Sequence, residues 1–477
     1  MSARRLFADS CARAVRDERL HGVLATAQAT FKAKRDNAMA SLDDADARRA
    51  QAAMVKDNAL ARLPELLETL ERNVMAAGGR VHWAADGKQA NDIIATIARE
   101  HDVKTVVKGK SMTTEETGLN AVLQDQGARV FETDLGEYII QLAGEPPSHI
   151  IAPAVHKNRQ DVADLFAEHL GVPRTEEPER LTRIARQALR SEFLRADMGI
   201  TGANMALAET GSIILVENEG NIRFSTTAPR VHVAVMGIEK VIPGPAEAGV
   251  LLSLLARNAT GLKMSVYTSV FTGPRRAGEA DGAEEFHLVL LDNGRSKMMA
   301  DPVLRQALRC LRCGACLNVC PVYGAVGGHA YKTTYPGPIG QCISPSLCPD
   351  DTAPDMPFAC TGCGACKAGC PVTIDLPGLL QHLRELAVSG RAQDPSLRGG
   401  PPLSARAAAL FAWTASHPSA WSAACAAARL VGPSRAARVP VLGKKLARWS
   451  LKRTLPRLGT PFSRRWPALK QRLEKDS

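Results

Sequence analysis

Between Cys310 and Pro371 the chain carries the pattern C-x2-C-x2-C-x3-C-P twice. The first run is Cys310, Cys313, Cys316, Cys320 and Pro321; the second is Cys360, Cys363, Cys366, Cys370 and Pro371. Three thiolates spaced two residues apart wrap one face of a cubane iron–sulfur cluster, because tight turns let the intervening amides point at the sulfides. The fourth cysteine lies too far along to close the same cube, and in two-cluster proteins it ligates the other cluster. The spacing therefore predicts two 4Fe–4S clusters. Cys310, Cys313, Cys316 and Cys370 would hold one; Cys360, Cys363, Cys366 and Cys320 would hold the other. Zinc sites usually use two C-x2-C knuckles, and disulfides need an oxidising compartment, so both fit poorly. Cys342 and Cys348 fall between the runs and are open as extra ligands, but Ser344, Pro345 and Pro349 around them read as plain turn, which favours free thiols. Cys11 and Cys425 sit in apolar helical contexts and read as core filler.

The rest of the chain divides around this stretch. Residues 1–75 have helical periodicity and no proline before Pro64, so they are expected to be helices packed on the next domain. Residues 76–295 alternate short β-rich runs (105–107, 129–131, 149–152, 212–217, 231–236, 263–270, 286–291) with helical stretches (89–100, 114–125, 162–169, 178–196, 246–256). That alternation predicts an α/β domain with a mainly parallel sheet, whose ligands bind at the carboxyl ends of the strands. Residues 296–392 form the cluster region. A helix over 301–309, opened by Asp301 and Pro302, leads to Cys310; 335–340 and 345–357 are expected to lack regular structure; 376–389 is expected to be a helix. A Pro/Gly-rich linker over 394–401 precedes a C-terminal region, 403–477, of Ala-rich segments and a basic tail holding Trp413, Trp421, Trp449 and Trp466.

Four loops in the α/β region put polar residues at strand ends. They supply candidate pocket residues Lys110, Ser111, Glu116, Asn120, Asp134, Glu137, Asn204, Asn218 and Asn221. A helix starting at Thr113 or Thr114 would present free amides to an anion; a capped helix with surface lysines fits the same residues. Asn- and Gly-rich turns are common in their own right, but four at strand ends favour a shared pocket. Glu209, Glu217 and Glu219 are candidate catalytic carboxylates, as base or nucleophile. His149, His156 and His232 read as satisfied core residues. Neither a phosphate-binding G-x4-G-K-[ST] loop nor a G-x-G-x2-G dinucleotide fingerprint occurs.

The formal net charge is +11, and residues 434–477 alone hold 13 Lys and Arg against two acidic side chains. Basicity is thus confined to one tail, which argues against a nucleic-acid-binding domain. Tryptophan beside Lys and Arg suits contact with anionic lipid or an acidic partner protein, and a solvated, partly disordered tail fits the same composition. No export signal or long apolar stretch precedes the reduced cysteines, so a cytoplasmic location is expected, with the tail as a candidate peripheral contact at the membrane's inner face.

The motifs Lys110-Ser-Met-Thr-Thr-Glu-Glu-Thr-Gly-Leu-Asn120, Glu132-Thr-Asp-Leu-Gly-Glu137, Gly199-Ile-Thr-Gly-Ala-Asn204, Ala208-Glu-Thr-Gly211 and Asn218-Glu-Gly-Asn221 resemble those of the lactate utilization protein B family. The likeness continues through both cysteine runs, the Tyr335-Pro-Gly-Pro-Ile-Gly340 loop and the Trp-containing C-terminal segment. It implies a lactate-utilization (LUD) domain with a fold like that of sugar isomerases and CoA transferases, with a helical two-cluster ferredoxin-like region after it. It implies further a subunit of a complex, with two other proteins, that oxidises L-lactate to pyruvate. In that family the loop holding Cys342 and Cys348 is expected to be cysteine-free. Since this chain lacks a nucleotide or flavin motif, an electron-transfer subunit is the favoured reading. An isomerase- or transferase-type enzyme acting on a small carboxylate, or a subunit oxidising glycolate or another 2-hydroxy acid, stays open.

Overall fold

The computed structural model describes residues 3–348, 356–389, 405–436 and 462–474. The strands are β1 (Arg80–Ala84), β2 (Thr105–Lys108), β3 (Arg129–Glu132), β4 (Met198–Thr201), β5 (Met205–Leu207), β6 (Ser212–Glu217), β7 (Val231–Gly237), β8 (Val241–Ile242), β9 (Tyr267–Phe271) and β10 (Glu285–Leu291). Six of them form one sheet in the order β1-β10-β7-β4-β2-β3, and every neighbouring pair is parallel. Side chains alternate between its faces, as period-two strands require. Val231, Val233, Val235, Val289 and Leu291 pack on one side; Ala234, Met236, Leu288 and Leu290 pack on the other. The chain moves outward from β2 to β3, then returns through β4 toward β7 and β10. The crevice beyond the carboxyl ends of strands at such a reversal is where open α/β sheets take ligands. A second sheet, β8-β5-β6-β9, is mixed, with β6 antiparallel to both neighbours.

Four helices precede the sheet: α1 (Ala3–Ala14), α2 (Glu18–Ala40), α3 (Ala45–Ala61) and α4 (Leu63–Ala76). Within the α/β region come α5 (Gly87–Glu100), α6 (Met112–Thr117), α7 (Leu119–Asp125), α8 (Leu135–Leu142), α9 (Arg159–Leu170), α10 (Pro178–Arg195), α11 (Asn221–Thr227) and α12 (Pro245–Ala259). The cluster region holds α13 (Arg295–Ala300), α14 (Ala315–Asn318), α15 (Pro321–Val326), α16 (Gly337–Leu347), α17 (Ala365–Ala368) and α18 (Leu376–Ser389). One hydrophobic core joins these regions: Leu24 and Leu70 from the first helices, Leu251 and Leu254 from α12, and Leu308, Tyr335 and Leu380 from the cluster region belong to it. The chain accordingly forms a compact unit over Met1–Gly400 and a second over Pro401–Ser477.

Several expectations need correction. Residues 149–152 form bends, not a strand, because His149 turns its ring nitrogen back onto the amides of Ile151 and Ala152. The helix expected over 114–125 is two helices, since Gly118 adopts φ +66° and caps the first. Asp301 does accept from the amides of Val303 and Leu304, but the element it opens is a 3-10 helix, Leu304–Arg309. The proline-rich stretch after Tyr335 contains α16, with Pro345 inside it. Burial of every residue from Gly337 to Pro345 outweighs the cost of one proline. Strands β1, β4, β5 and β8 escape pattern reading; β5 and β8 span only three and two residues.

In the second unit, α19 (Ala405–Ser416) and α20 (Pro418–Ala436) precede α21 (Phe462–Leu473). Phe411 meets Trp421 edge-on at 6.1 Å, and Leu410, Phe411, Trp413 and Trp466 are exposed. The linker over 394–401 and most of the basic tail, 437–461 and 475–477, lie outside the described residues. Among the described residues no helix is long and apolar enough to cross a membrane.

Candidate functional site

A cavity of about 510 Å³ opens at the carboxyl ends of the parallel strands. Lys110 and Ser111 reach it from the end of β2, Asp134 from the end of β3, and Asn204 from the end of β4. Glu217, Asn218, Glu219 and Asn221 enter from the turn after β6. Most of these side chains fix their own loops. Ser111, rather than Thr113 or Thr114, caps α6 by accepting from the Thr114 amide at 3.3 Å. Asp134 caps α8. Asn204 and Asn218 accept from the amides of Val216 and Val266, and Asn221 donates to Thr133 Oγ1. Glu217 accepts from the amides of Ile222 at 2.7 Å and Arg223 at 3.0 Å, so its carboxylate closes a turn. Glu219 accepts from the Leu135 amide, and burial, with Asp134 adding to it, raises its pKa to about 7. Lys110 donates to the Ile151 carbonyl at 2.9 Å and lies 3.5 Å from the buried Glu137.

Four candidates do not line the cavity. Glu137 lies beneath Lys110, and burial raises its pKa well above the carboxylate range. Asn120 donates to Glu132, which with Glu115 pairs the fully buried Lys108 at 2.7 Å each. Glu209 lies at the turn before β6, where its carbonyl accepts from Asn73. Glu116 points into a buried network. It accepts from Arg295 at 2.9 and 3.0 Å, from the Tyr335 hydroxyl at 2.7 Å and from Asn293 at 2.7 Å. Of the histidines, His149 meets Asn318 and His232 meets Thr201, both buried; His156 lies 2.6 Å from Glu145.

The floor of the cavity comes from residues that pattern reading passed over: Glu239 and Lys240 after β7, Arg295 after β10, Arg312 in the first cysteine run, and Tyr335. Arg295 pairs with Glu239 at 2.6 Å as well as with Glu116. Burial alone would raise the Glu239 pKa, but Arg295, Arg312, Lys240 and Lys56 hold it at about 2. Burial lowers Lys56 and Lys240 to about 8. Lys56 donates to the Glu239 carbonyl at 2.5 Å. The Arg312 guanidinium stacks 4.8 Å from the Tyr335 ring centre and lies 3.6 Å from Glu239. One sequence signal for Arg312 existed: it stands where the second run has Gly362. Both adopt the left-handed backbone, φ +60° and +70°, which costs a bulky residue energy.

The cysteine thiols fall into two neighbourhoods that cross the runs. Burial pushes Cys313 up to about 12, with Cys310 and Cys370 adding to it, and raises Cys316, which has the same two neighbours and Cys313. Burial likewise raises Cys320, whose thiol neighbours are Cys360 and Cys363, and Cys366, to about 12, whose neighbours are Cys320, Cys360 and Cys363. Cys320, Cys360, Cys363 and Cys366 line a common small cavity. Backbone amides already point at sulfur: Arg312 to Cys310, Tyr323 to Cys320, Gly362 to Cys360 and Ile374 to Cys370, at 3.3–3.4 Å. Buried thiols are poor ligands until deprotonated, and a metal does this outright, so this donor set fits iron–sulfur ligation. Cys342 lies within α16, fully buried, with Cys366, Cys360 and Cys310 around it; it is a helix residue rather than a turn thiol. Cys348 caps that helix and is buried. The first helices close over this region. Gln28 donates to the carbonyls of Leu317 and Cys320, Arg35 to Gly369, and Arg49 to Ala368 and Cys370.

Residues 67–291 match the LUD domain family model, and residues 306–374 match the 4Fe-4S dicluster domain model. The chain is 42% identical over 464 residues to the uncharacterized electron transport protein YkgF of Escherichia coli strain K12, covering 97% of this chain and 96% of that one. It is 44% identical over 387 residues to lactate utilization protein B of Shouchella clausii strain KSM-K16, covering 81% of each. The protein of the same name from Bacillus subtilis strain 168 is 42% identical over 390 residues, covering 82% of this chain and 81% of its own.

Proposed function

The chain belongs to the lactate utilization protein B family, and from that premise we propose that it is the iron–sulfur electron-transfer subunit of a complex oxidising L-lactate to pyruvate. The oxidation releases two electrons and two protons. When bound, each 4Fe–4S cluster accepts and passes on one electron at a time, so a pair takes up both in sequence. We assign Cys310, Cys313, Cys316 and Cys370 to one cluster and Cys360, Cys363, Cys366 and Cys320 to the other. The single observation that carries this is the crossed grouping of the thiols, which joins the fourth cysteine of each run to the first three of the other. This chain's own residues would shield the thiols other than the exposed Cys363 from solvent, aim amides at sulfur and, through Arg35 and Arg49, hold positive charge near the second run.

The same proposal includes a kinship of the parallel sheet to sugar-isomerase and CoA-transferase-like folds, partner subunits of a lactate utilization system, and a cytoplasmic location. It also includes contact of the basic tail with anionic lipid or an acidic partner. The test is anaerobic. The chain is purified with its co-purifying proteins, L-lactate is added, and the EPR spectrum is recorded. A reduced-cluster signal with L-lactate, absent with D-lactate or buffer, is expected. Clusters that dithionite reduces and L-lactate does not, in the intact complex, would sink the assignment.

A further inference from the structure

We propose that Arg312 and Lys240, on the floor of the cavity, form a carboxylate subsite that takes a small 2-hydroxy or 2-oxo acid beside the first cysteine run. The inference rests on the functional reading above and adds to it that this chain, besides conducting electrons, holds the organic acid.

Three observations carry it. First, the floor has cations in excess. Arg295 is matched by Glu116 and Glu239, and Lys56 is satisfied by the Glu239 carbonyl. Arg312 and Lys240 remain; they share Glu239, whose Oε1 lies 3.6 Å from Arg312, and the Cys310 thiol as their anionic neighbours. Second, a donor there lacks an acceptor. Arg312 Nη1 is buried without a hydrogen-bond partner, and Lys240 lines the same cavity. Buried donors are nearly always paired, so an acceptor is missing from the cavity side. Glu239 Oε1 is also unpartnered; it orients the guanidinium but leaves Nη1 open. Third, Arg312 occupies a left-handed backbone position that the second run gives to Gly362, and such strain persists where a side chain's position matters.

The chemistry favours a carboxylate. A guanidinium presents a planar fork that matches two carboxylate oxygens, and an ammonium adds a point charge. Leu255, Leu311 and Ile222 line the same cavity, giving an apolar wall for the short carbon chain. The cavity is larger than a three-carbon acid needs, so the pair of cations rather than the volume would set selectivity. The rival account is that Arg312 and Lys240 merely offset the negative charge of a thiolate-ligated cluster at Cys310.

The test uses the full chain, anaerobically purified with its clusters, in equilibrium dialysis against labelled pyruvate and L-lactate, with inorganic phosphate as competitor. Saturable binding is expected at about one acid per chain. Lys240→Gln and Arg312→Gln should each weaken it roughly tenfold or more, the worth of a charged hydrogen bond. Lys240→Gln should keep its iron, which guards against an Arg312 variant that fails to load clusters. Absence of saturable binding to the unaltered chain overturns the subsite, and so does phosphate binding as tightly as pyruvate. Unchanged binding in Lys240→Gln with a shifted cluster midpoint overturns it in favour of the rival account. Clusters reduced by L-lactate in the complex, with no acid bound to this chain, sink the subsite and leave the electron-transfer reading standing. Binding here without reduction in the complex upholds the subsite and sinks that reading.

Discussion

Arg295 is 1% exposed and holds two carboxylates from different parts of the fold, Glu116 and Glu239. Removing one partner of a buried pair strands the other's charge, at about 3–5 kcal/mol. Arg295→Met should therefore lower the unfolding free energy from urea melts by that order, and adding Glu116→Gln should recover part of it. Glu219 gives a pH signature. Its folded pKa, about 7, lies above the ordinary 4.5. The folded state then keeps a proton that the unfolded state releases, so stability falls as pH rises between those values and levels off above. Glu219→Gln should remove this slope. The stability of the natural chain relative to the variant should drop by ~1–3 kcal/mol from pH 5 to pH 8, read from urea melts at each pH. A third expectation concerns the crossed ligands. Cys370→Ala should disturb the cluster of Cys310, Cys313 and Cys316, leaving about four of about eight irons, with the remaining EPR signal matching that lost in Cys320→Ala. The cysteines were legible because their chemistry depends on spacing within the sequence. Arg312, Glu239, Lys240 and Arg295 were not, because they meet only through strand ends that lie far apart along the chain.

At the level of elements, helices α2 and α3 act as a latch over the second cysteine run. Arg35 and Arg49 donate to the carbonyls of Gly369, Ala368 and Cys370. Arg49→Ala withdraws one positive charge and two hydrogen bonds from the turn that carries Cys370. The cluster bound there should become harder to reduce by some tens of millivolts in a potentiometric EPR titration, and should bleach faster in air. The long helices α2 and α3 were legible from their unbroken periodicity, as was α18. Helix α16 was not, because Pro338 and Pro345 signal irregularity locally while burial of the whole segment decides the outcome. The parallel sheet was legible as alternation; in the mixed second sheet β6 was legible and β9 partly so, while β5 and β8, three and two residues long, were hidden.

Over the whole molecule, the stretches that read as three modules share one core within Met1–Gly400. A chain ending at Gly400 should fold and keep about eight irons, since no described residue beyond that point belongs to the core. If the tail meets anionic lipid, that chain should also lose salt-sensitive liposome binding.

The shared core has a cost in a cell that runs short of metal. Cys313, Cys320, Cys366 and Cys370 are buried members of the same core that supports the parallel sheet. Chains made without iron would leave these thiols bare in the interior, with the two runs no longer tied to each other and the α/β region losing part of its packing. Such chains should be cleared by proteases faster than chains that hold their clusters. The amount of this protein would then track the iron supply without any dedicated regulator.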